Sequence, residues 1–434
     1  MRNNWPTKKL REIILDIGDG GTPSTKVKEY FNGQIPWVNI EDIKPEIWDT
    51  KRYLSELGLK NSSAKLWPKE SVIFSFGASI GKVGIAKVDL CTKQGIAGII
   101  PDTAQVLSKY LYYSLIRIAP FIKEIAKGMG STIKEIRPSK LVDLIEIPLP
   151  PLPIQQKIVK ILDTIQSAVD IHDKIIEKTK ELKKSLMNLL FHYEVAGLRI
   201  KELASSRVGE LSSSELEKLG LRLKKTEIGE IPENWEVVRL GAVTKEIIYG
   251  ISKKGEKEGR YPILRMNNLE DGKINCLDLQ YVGLEDIEFE KFKLEKGDIL
   301  FNRTNSLELV GKTALFNLDG NFVFASYLLR IRTLKDKLLP EFLNYYFNFE
   351  KTQKELKTLA YRGASQVNIS ASRLSGMLIP LPPLPEQQEI AEILQTIDQK
   401  IEIEKKKKEL YEELFKTMLN KIMKQEIDVE KIEI

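Results

Sequence analysis

One seven-residue string occurs twice in this chain. Ile147–Pro153 and Ile379–Pro385 both read IPLPPLP, at an offset of 232 residues. Followed without gaps, the offset brings Gln155 and Gln156 onto Gln387 and Gln388, and Ile158 onto Ile390. Ile161, Leu162, Thr164 and Ile165 fall on Ile393, Leu394, Thr396 and Ile397. Upstream the likeness is fainter. Trp5 and Leu10 match Trp235 and Leu240. Ile35-Pro36-Trp37-Val38-Asn39 parallels Tyr261-Pro262-Ile263-Leu264-Arg265. Ser71–Ser75 parallels Asp298–Asn302, and Gly81-Lys82 parallels Gly311-Lys312. So long a period excludes a solenoid. It predicts two copies of one unit, each a globular domain followed by a long helix, related by a pseudo-two-fold.

Texture divides each copy. Residues 1 to about 146 carry short apolar runs such as SVIFSF and GIAGII between Gly and Pro, with a helical stretch near 107–127. This predicts a mixed α/β domain. Residues 231–378 read alike, with DILFNR and FVFASYLLRIRT as strands and 340–358 as a helix. The segment 194–230 is polar and rich in Ser, Glu and Lys, as suits a connector. The expected bounds are domains at 1–150 and 231–382 and helical regions at 151–193 and 383–425.

Residues 154–192 contain neither Gly nor Pro. Apolar residues follow heptad rows: Ile158, Ile165, His172, Thr179, Leu186, and beside them Ile161, Ala168, Ile175, Leu182, Leu189. That pattern predicts a helix packed lengthwise on another, roughly 55–60 Å long at 1.5 Å per residue. Residues 386–424 keep the stripe at both ends (Ile390, Leu394, Ile397, Ile401, then Tyr411, Leu414, Phe415, Met418, Ile422) around a polar middle. The intervening domain spans the return, so antiparallel packing is expected. Equivalent midpoints then meet, which predicts a polar contact between His172 and Glu404. The fold class expected is α+β: two α/β domains in repeat, separated by two long antiparallel coiled-coil helices.

Catalytic motifs are missing. Gly18-Asp19-Gly20-Gly21 lacks the dinucleotide-binding form. Gly311-Lys312-Thr313 has the tail of a P-loop, but Ser306 stands where its first glycine belongs. Both histidines, His172 and His192, fall on the first long helix, and Cys91 and Cys276 lie far apart. A triad, a zinc site and a disulfide framework are therefore excluded. No apolar run reaches eighteen residues and no secretory leader is recognisable, so a cytoplasmic protein without a membrane span is expected. The net charge of +6 is mild and permits a polyanionic partner.

Both domains carry side chains suited to phosphates and base edges. In the first these are Lys26, Lys28, Asn39, Ser75, Lys82, Lys93, Gln94, Lys134 and Arg137. In the second they are Lys253, Lys254, Arg260, Arg265, Asn267, Asn302, Arg303, Asn305, Lys312, Arg330 and Arg362. The two sets share a frame and differ in chemistry, as expected of readers of two different sequences.

Several stretches carry a resemblance. They are Gly21-Thr22-Pro23-Ser24, Ile35–Ile40, Ser79–Gly84 and Thr92–Gly95 in the first copy. In the second they are Gly229–Pro232 through Trp235, Lys296–Phe301, Gly311-Lys312 and Ser326–Leu329. With the paired P-L-P-x-Q-Q junctions, they cover essentially the whole chain. The chain resembles the specificity subunits of type I restriction–modification enzymes. The resemblance implies a non-catalytic, DNA-binding subunit with two target-recognition domains, each reading half of a split site in double-stranded DNA. It implies helices that set the gap and dock two methyltransferase subunits, with restriction subunits joining in turn. S-adenosylmethionine, ATP and Mg²⁺ are then expected on those partners, with no cofactor or metal here. The alternative is a coiled-coil protein-interaction scaffold without DNA specificity.

Overall fold

A computed structural model describes residues 5–77, 79–128, 138–192, 223–362 and 366–432. The chain divides into two compact units, Met1–Lys174 with Lys405–Ile434, and Ile175–Glu404. Both divisions fall inside the long helices, Leu152–His192 and Leu384–Met423.

Among the described residues, the first unit is built on a five-stranded sheet in the order Ile14–Asp19, Ile96–Pro101, Val72–Ser75, Val83–Ala86, Glu46–Ile47. A four-stranded sheet follows the order Tyr53–Leu54, Ile35–Val38, Leu90–Thr92, Leu66–Trp67. The central strands are apolar on both faces because the helix Ser108–Gly128 covers one face and Trp67 lies against the other. The first half of one long helix runs antiparallel to the second half of the other in this unit. Lys157 Nζ donates to Glu430 O at 2.8 Å, and Asp173 pairs with Lys408 at 2.7 Å. Ile158, Leu162, Leu419 and Ile422 join the domain core between these points. Trp5 and Gln425 exchange backbone–amide hydrogen bonds, N–H to Oε1 at 2.7 Å and Nε2 to O at 3.3 Å.

The second unit repeats the design. Its sheets run Thr244–Tyr249, Leu328–Thr333, Ile299–Asn302, Thr313–Leu315 and Gln280–Val282, Tyr261–Leu264, Val323–Phe324. Here Lys183 bonds Asp398 at 2.6 Å, while Leu186 and Leu190 share a core with Ile390 and Leu394.

Several expectations need correction. The helix expected over 340–358 is two, Pro340–Asn348 and Glu350–Thr358. Phe349 between them is extended (φ −70°, ψ 136°), and its ring is buried 5.3 Å from that of Phe191. The strand expected from FVFASYLLRIRT is also two, because Val323–Phe324 and Leu328–Thr333 belong to different sheets. Of the connector 194–230, residues 194–222 lie outside the described residues. Its end is a hairpin, Leu223–Thr226 paired with Gly229–Pro232. On the first long helix Leu182 is 46% exposed while Val169, Ile176 and Leu190 are buried. Leu189, one heptad further along the same row, is buried again, so the exposure is local to Leu182. Leu414 is 42% exposed, with Leu419 and Met423 buried instead.

Candidate nucleic-acid interface

In the first unit, strand Ile35–Val38 runs parallel to Leu90–Thr92, with Trp37 opposite Cys91 and Val38 opposite Thr92. Three turns converge beyond this pair. At Asn39–Asp42, Asn39 N–H donates to Asp42 Oδ2 at 2.9 Å and Asp42 N–H returns to Asn39 O at 3.0 Å. Lys93 N–H, in the second turn, donates to Val38 O at 3.0 Å. The third spans Ser75–Lys82: Ser75 N–H donates to Lys82 O and Gly81 N–H to Ser75 O, both at 2.9 Å. Gly95 O accepts from Phe76 and Gly77, which ties the second turn to the third. Lys82 Nζ donates to Ile40 O at 2.8 Å, which ties the third to the first.

The second unit builds the same frame from other residues. Ile263 and Leu264 lie parallel to Val323 and Phe324. Arg265 N–H donates to Asn268 Oδ1, Asn268 N–H to Arg265 O and Ala325 N–H to Leu264 O, all at 2.9 Å. Asn302 N–H donates to Lys312 O at 2.8 Å and Gly311 N–H to Asn302 O at 2.9 Å. Gly81 and Gly311 close the two loops at φ +100° and +89°, in the left-handed region that a side chain disfavours. Asn39 thus corresponds to Arg265, Ser75 to Asn302 and Lys82 to Lys312.

Within this frame the expected residues divide. Asn39, Ser75 and Asn302 are buried and bonded to their own loops: Nδ2 of Asn39 to Trp37 O, the Ser75 hydroxyl to Ser79 O, and Nδ2 of Asn302 to Leu309 O. Lys82, Lys93 and Gln94 are exposed around the converging turns. Lys26 and Lys28 stand apart, at the short helix Lys28–Phe31. Lys134 and Arg137 lie outside the described residues.

In the second unit Arg265 and Asn267 both donate to Asp278 Oδ2, at 2.8 and 2.9 Å. The Arg303 guanidinium lies 4.9 Å over the Tyr249 ring and donates to Asn368 Oδ1 at 3.4 Å. Asn305 Nδ2 faces Met266 Sδ at 3.3 Å, and Lys312 is exposed beside them. Lys253 pairs with Glu288 at 2.6 Å and Arg260 with Asp286 at 3.0 Å, while Lys254 is exposed. Arg362 ends the strand Tyr361–Arg362, and its side chain lies outside the described residues. Arg330 does not face a ligand. It is 2% exposed and paired with Glu246 at 2.7 Å. Six buried polar atoms among the described residues lack a partner, and three of them sit here: Arg265 Nε, Asn302 Oδ1 and Arg303 Nε. Such atoms are rare in packed interiors, and each calls for a partner.

Sequence reasoning missed Tyr249, Tyr327 and Tyr361, which are exposed on this face. The available signal was Tyr249-Gly250, an aromatic residue ending an apolar strand where the first copy has Asp19-Gly20. The His172 ring stacks on Tyr411, with centroids 5.3 Å apart, and Glu404 is buried in the second unit. Burial pushes the Cys91 thiol up to about 12, which makes it a poor nucleophile. Among the described residues, no group of three His, Cys, Asp or Glu is placed to hold a metal ion, and no helix is long and apolar enough to cross a membrane.

The family model for the type I restriction modification DNA specificity domain matches residues 2–181 and again 232–413. The chain belongs to this family. The double match is the internal repeat seen from outside, and the family's role of DNA recognition goes with it. Among relatives of this family, the MjaIX specificity subunit of Methanocaldococcus jannaschii is 27% identical, over 99% of this chain and 95% of its own. The EcoKI specificity subunit of Escherichia coli is 26% identical, over 91% and 78%. The fold is that of a type I restriction–modification S subunit from M. genitalium, with a TM-score of 0.56, 16% identity and coverage of 98% and 97%. A chain from a study of complex assembly and conformational transition of the type I system matches similarly, with a TM-score of 0.55, 19% identity and coverage of 96% and 97%.

Proposed function

We propose that this chain is the non-catalytic sequence-reading subunit of a cytoplasmic type I restriction–modification complex. Domain 1–150 reads one half of a bipartite duplex site and domain 231–382 reads the other. The exposed residues Lys82, Lys93, Gln94, Asn267 and Lys312 and the half-buried Arg303 and Asn305 contact DNA, while Asn39, Ser75 and Asn302 shape the loops that present them. Lys26, Lys253, Arg265, Arg137 and Arg362 complete the candidate set. The helical regions 151–193 and 383–425 keep the half-sites in register. They also dock two methyltransferase subunits, through which restriction subunits join. S-adenosylmethionine, ATP and Mg²⁺ belong to those partners.

The observation that carries this reading is the pair of matched turn frames presenting different side chains. A shared frame fixes where loops stand, and different side chains let two copies read two sequences. A helix of 41 residues is about 60 Å long, a suitable scale for half-sites about 34 Å apart on one face of the duplex. The test is methylation-site mapping in a host carrying the complete system, repeated after residues 231–378 are exchanged for those of a relative. A change confined to one half of the recognised site supports the reading. Changes in both halves, or in neither, overturn it.

A further inference from the structure

The proline-rich junctions are followed by two glutamines whose side chains the reading above leaves unused. Gln155 lies in the first turn of Leu152–His192 and Gln387 in that of Leu384–Met423. Both are 0% exposed. A glutamine amide offers one acceptor oxygen and two N–H donors, and here all three are engaged. In the first unit Oε1 accepts from Leu107 N–H at 2.9 Å, and Nε2 donates to Gln105 O at 2.8 Å and Pro150 O at 2.9 Å. In the second unit Oε1 accepts from Leu339 N–H at 2.8 Å, and Nε2 donates to Lys337 O at 2.9 Å and Pro382 O at 2.8 Å. The partners come from two pieces of chain in each unit. One is the loop entering the domain helix, Ser108–Gly128 or Pro340–Asn348. The other is the proline turn entering the long helix.

A second fastening lies further along each long helix. Tyr113 donates its hydroxyl proton to Asp163, and Tyr345 donates to Asp398 at 2.9 Å. Two fastenings on one rod remove the rotation that either alone would permit. Burying an amide costs free energy that a hydrocarbon side chain of equal size does not incur. The amide also pairs one backbone N–H and two carbonyls that a hydrocarbon would leave unsatisfied, so it serves local stability as well as orientation. Hydrogen bonds are directional, and three on one planar group fix an orientation.

We propose that Gln155 and Gln387 are positioning residues. Each locks its reading domain at a set angle to its long helix, so that the helix imposes the gap and rotational phase between half-sites. This rests on the function proposed above. The experiment uses the complete complex with its methyltransferase subunits, carrying Gln155→Met or Gln387→Met. Methylation is measured on duplexes with the native gap, with gaps one base pair longer or shorter, and with one substitution in a half-site. The expected result is that preference for the native gap falls by about tenfold, equivalent to about 1.4 kcal/mol, while discrimination against the half-site substitution stays. An equal loss on every duplex, or no change, would falsify the proposal.

Hydrogen exchange on the unaltered complex guards against a variant that does not assemble. The Leu107 and Leu339 amides should exchange with the slowest amides of their domains, and exchange at exposed-loop rates overturns the clamp. An unaltered complex indifferent to gap length defeats the spacer reading itself, whatever the exchange rates.

Discussion

The two units solve one packing problem in opposite ways. In the first, Trp67 lies on the sheet, its indole N–H donates to Thr92 Oγ1 at 2.9 Å, and the strand beneath is Gly98. A Cβ at Gly98 would stand 2.0 Å from Trp67 Cδ2. In the second, the register places Arg330 where Gly98 stands, since Gly98 pairs with Ile73 and Arg330 with Leu300. Arg330 reaches back to Lys293 O at 2.6 Å and Glu246 at 2.7 Å, its guanidinium 5.5 Å from the Phe324 ring centroid. In one copy the bulk comes from the covering strand, in the other from the sheet. A frame held by backbone bonds tolerates exchange of side chains provided the space between layers stays filled. The reading loops diverge further: Ser75–Lys82 is short, whereas Asn302–Lys312 is longer and adds the strand Thr304–Asn305.

The contrast can be broken at graded cost. Arg330→Leu leaves Glu246 half-buried with only Arg332 at 3.2 Å, and the second unit should lose about 3 kcal/mol in a denaturant titration. A loss below about 1 kcal/mol would mean the arginine fills space without pairing. Gly98→Ala should destabilise the first unit by about 1–3 kcal/mol through overpacking against Trp67, and Gly98→Ala with Trp67→Leu should lose less than the sum of the two single variants. Additive losses in that double variant would break the claim of exchanged bulk. Arg303→Lys removes a planar guanidinium from Tyr249 and Asn368, so discrimination at one base pair of the second half-site should fall by about 1–3 kcal/mol, with the first half-site unaffected. Lys82→Ala or Lys312→Ala should weaken binding uniformly across sequences and lower the salt slope of the complex by about one unit each. A sequence-dependent effect at either lysine would move it from phosphate to base contact.

Much of this was legible in the chain. The IPLPPLP repeat gives two units, and the Gly- and Pro-free runs that open at Ile154 and Glu386 give the start of each long helix to within two residues. Strands such as Val72–Ser75 and Ile299–Asn302 follow from apolar runs bounded by turns. The candidate site was legible as loops, through the alignment of Asn39 with Arg265 and Lys82 with Lys312, and less so as side chains. Asn39, Ser75 and Asn302 are residue types that suit base edges, yet they face inward because their turns need internal bonds. Arg330 looked like a surface cation and is a filler between layers. The break at Phe349 was hidden because the ring that draws it inward, Phe191, is remote in sequence.

What the residues determine by themselves is local and periodic: the duplication, the helices, the strands and the lack of a catalytic motif. These follow from spacing along one chain, where side-chain direction repeats with a known period. The tertiary structure decided which polar groups are satisfied inside and which remain outward for a partner. That choice turns on neighbours far apart in sequence, and a buried polar group is tolerated only where such a neighbour completes its bonds.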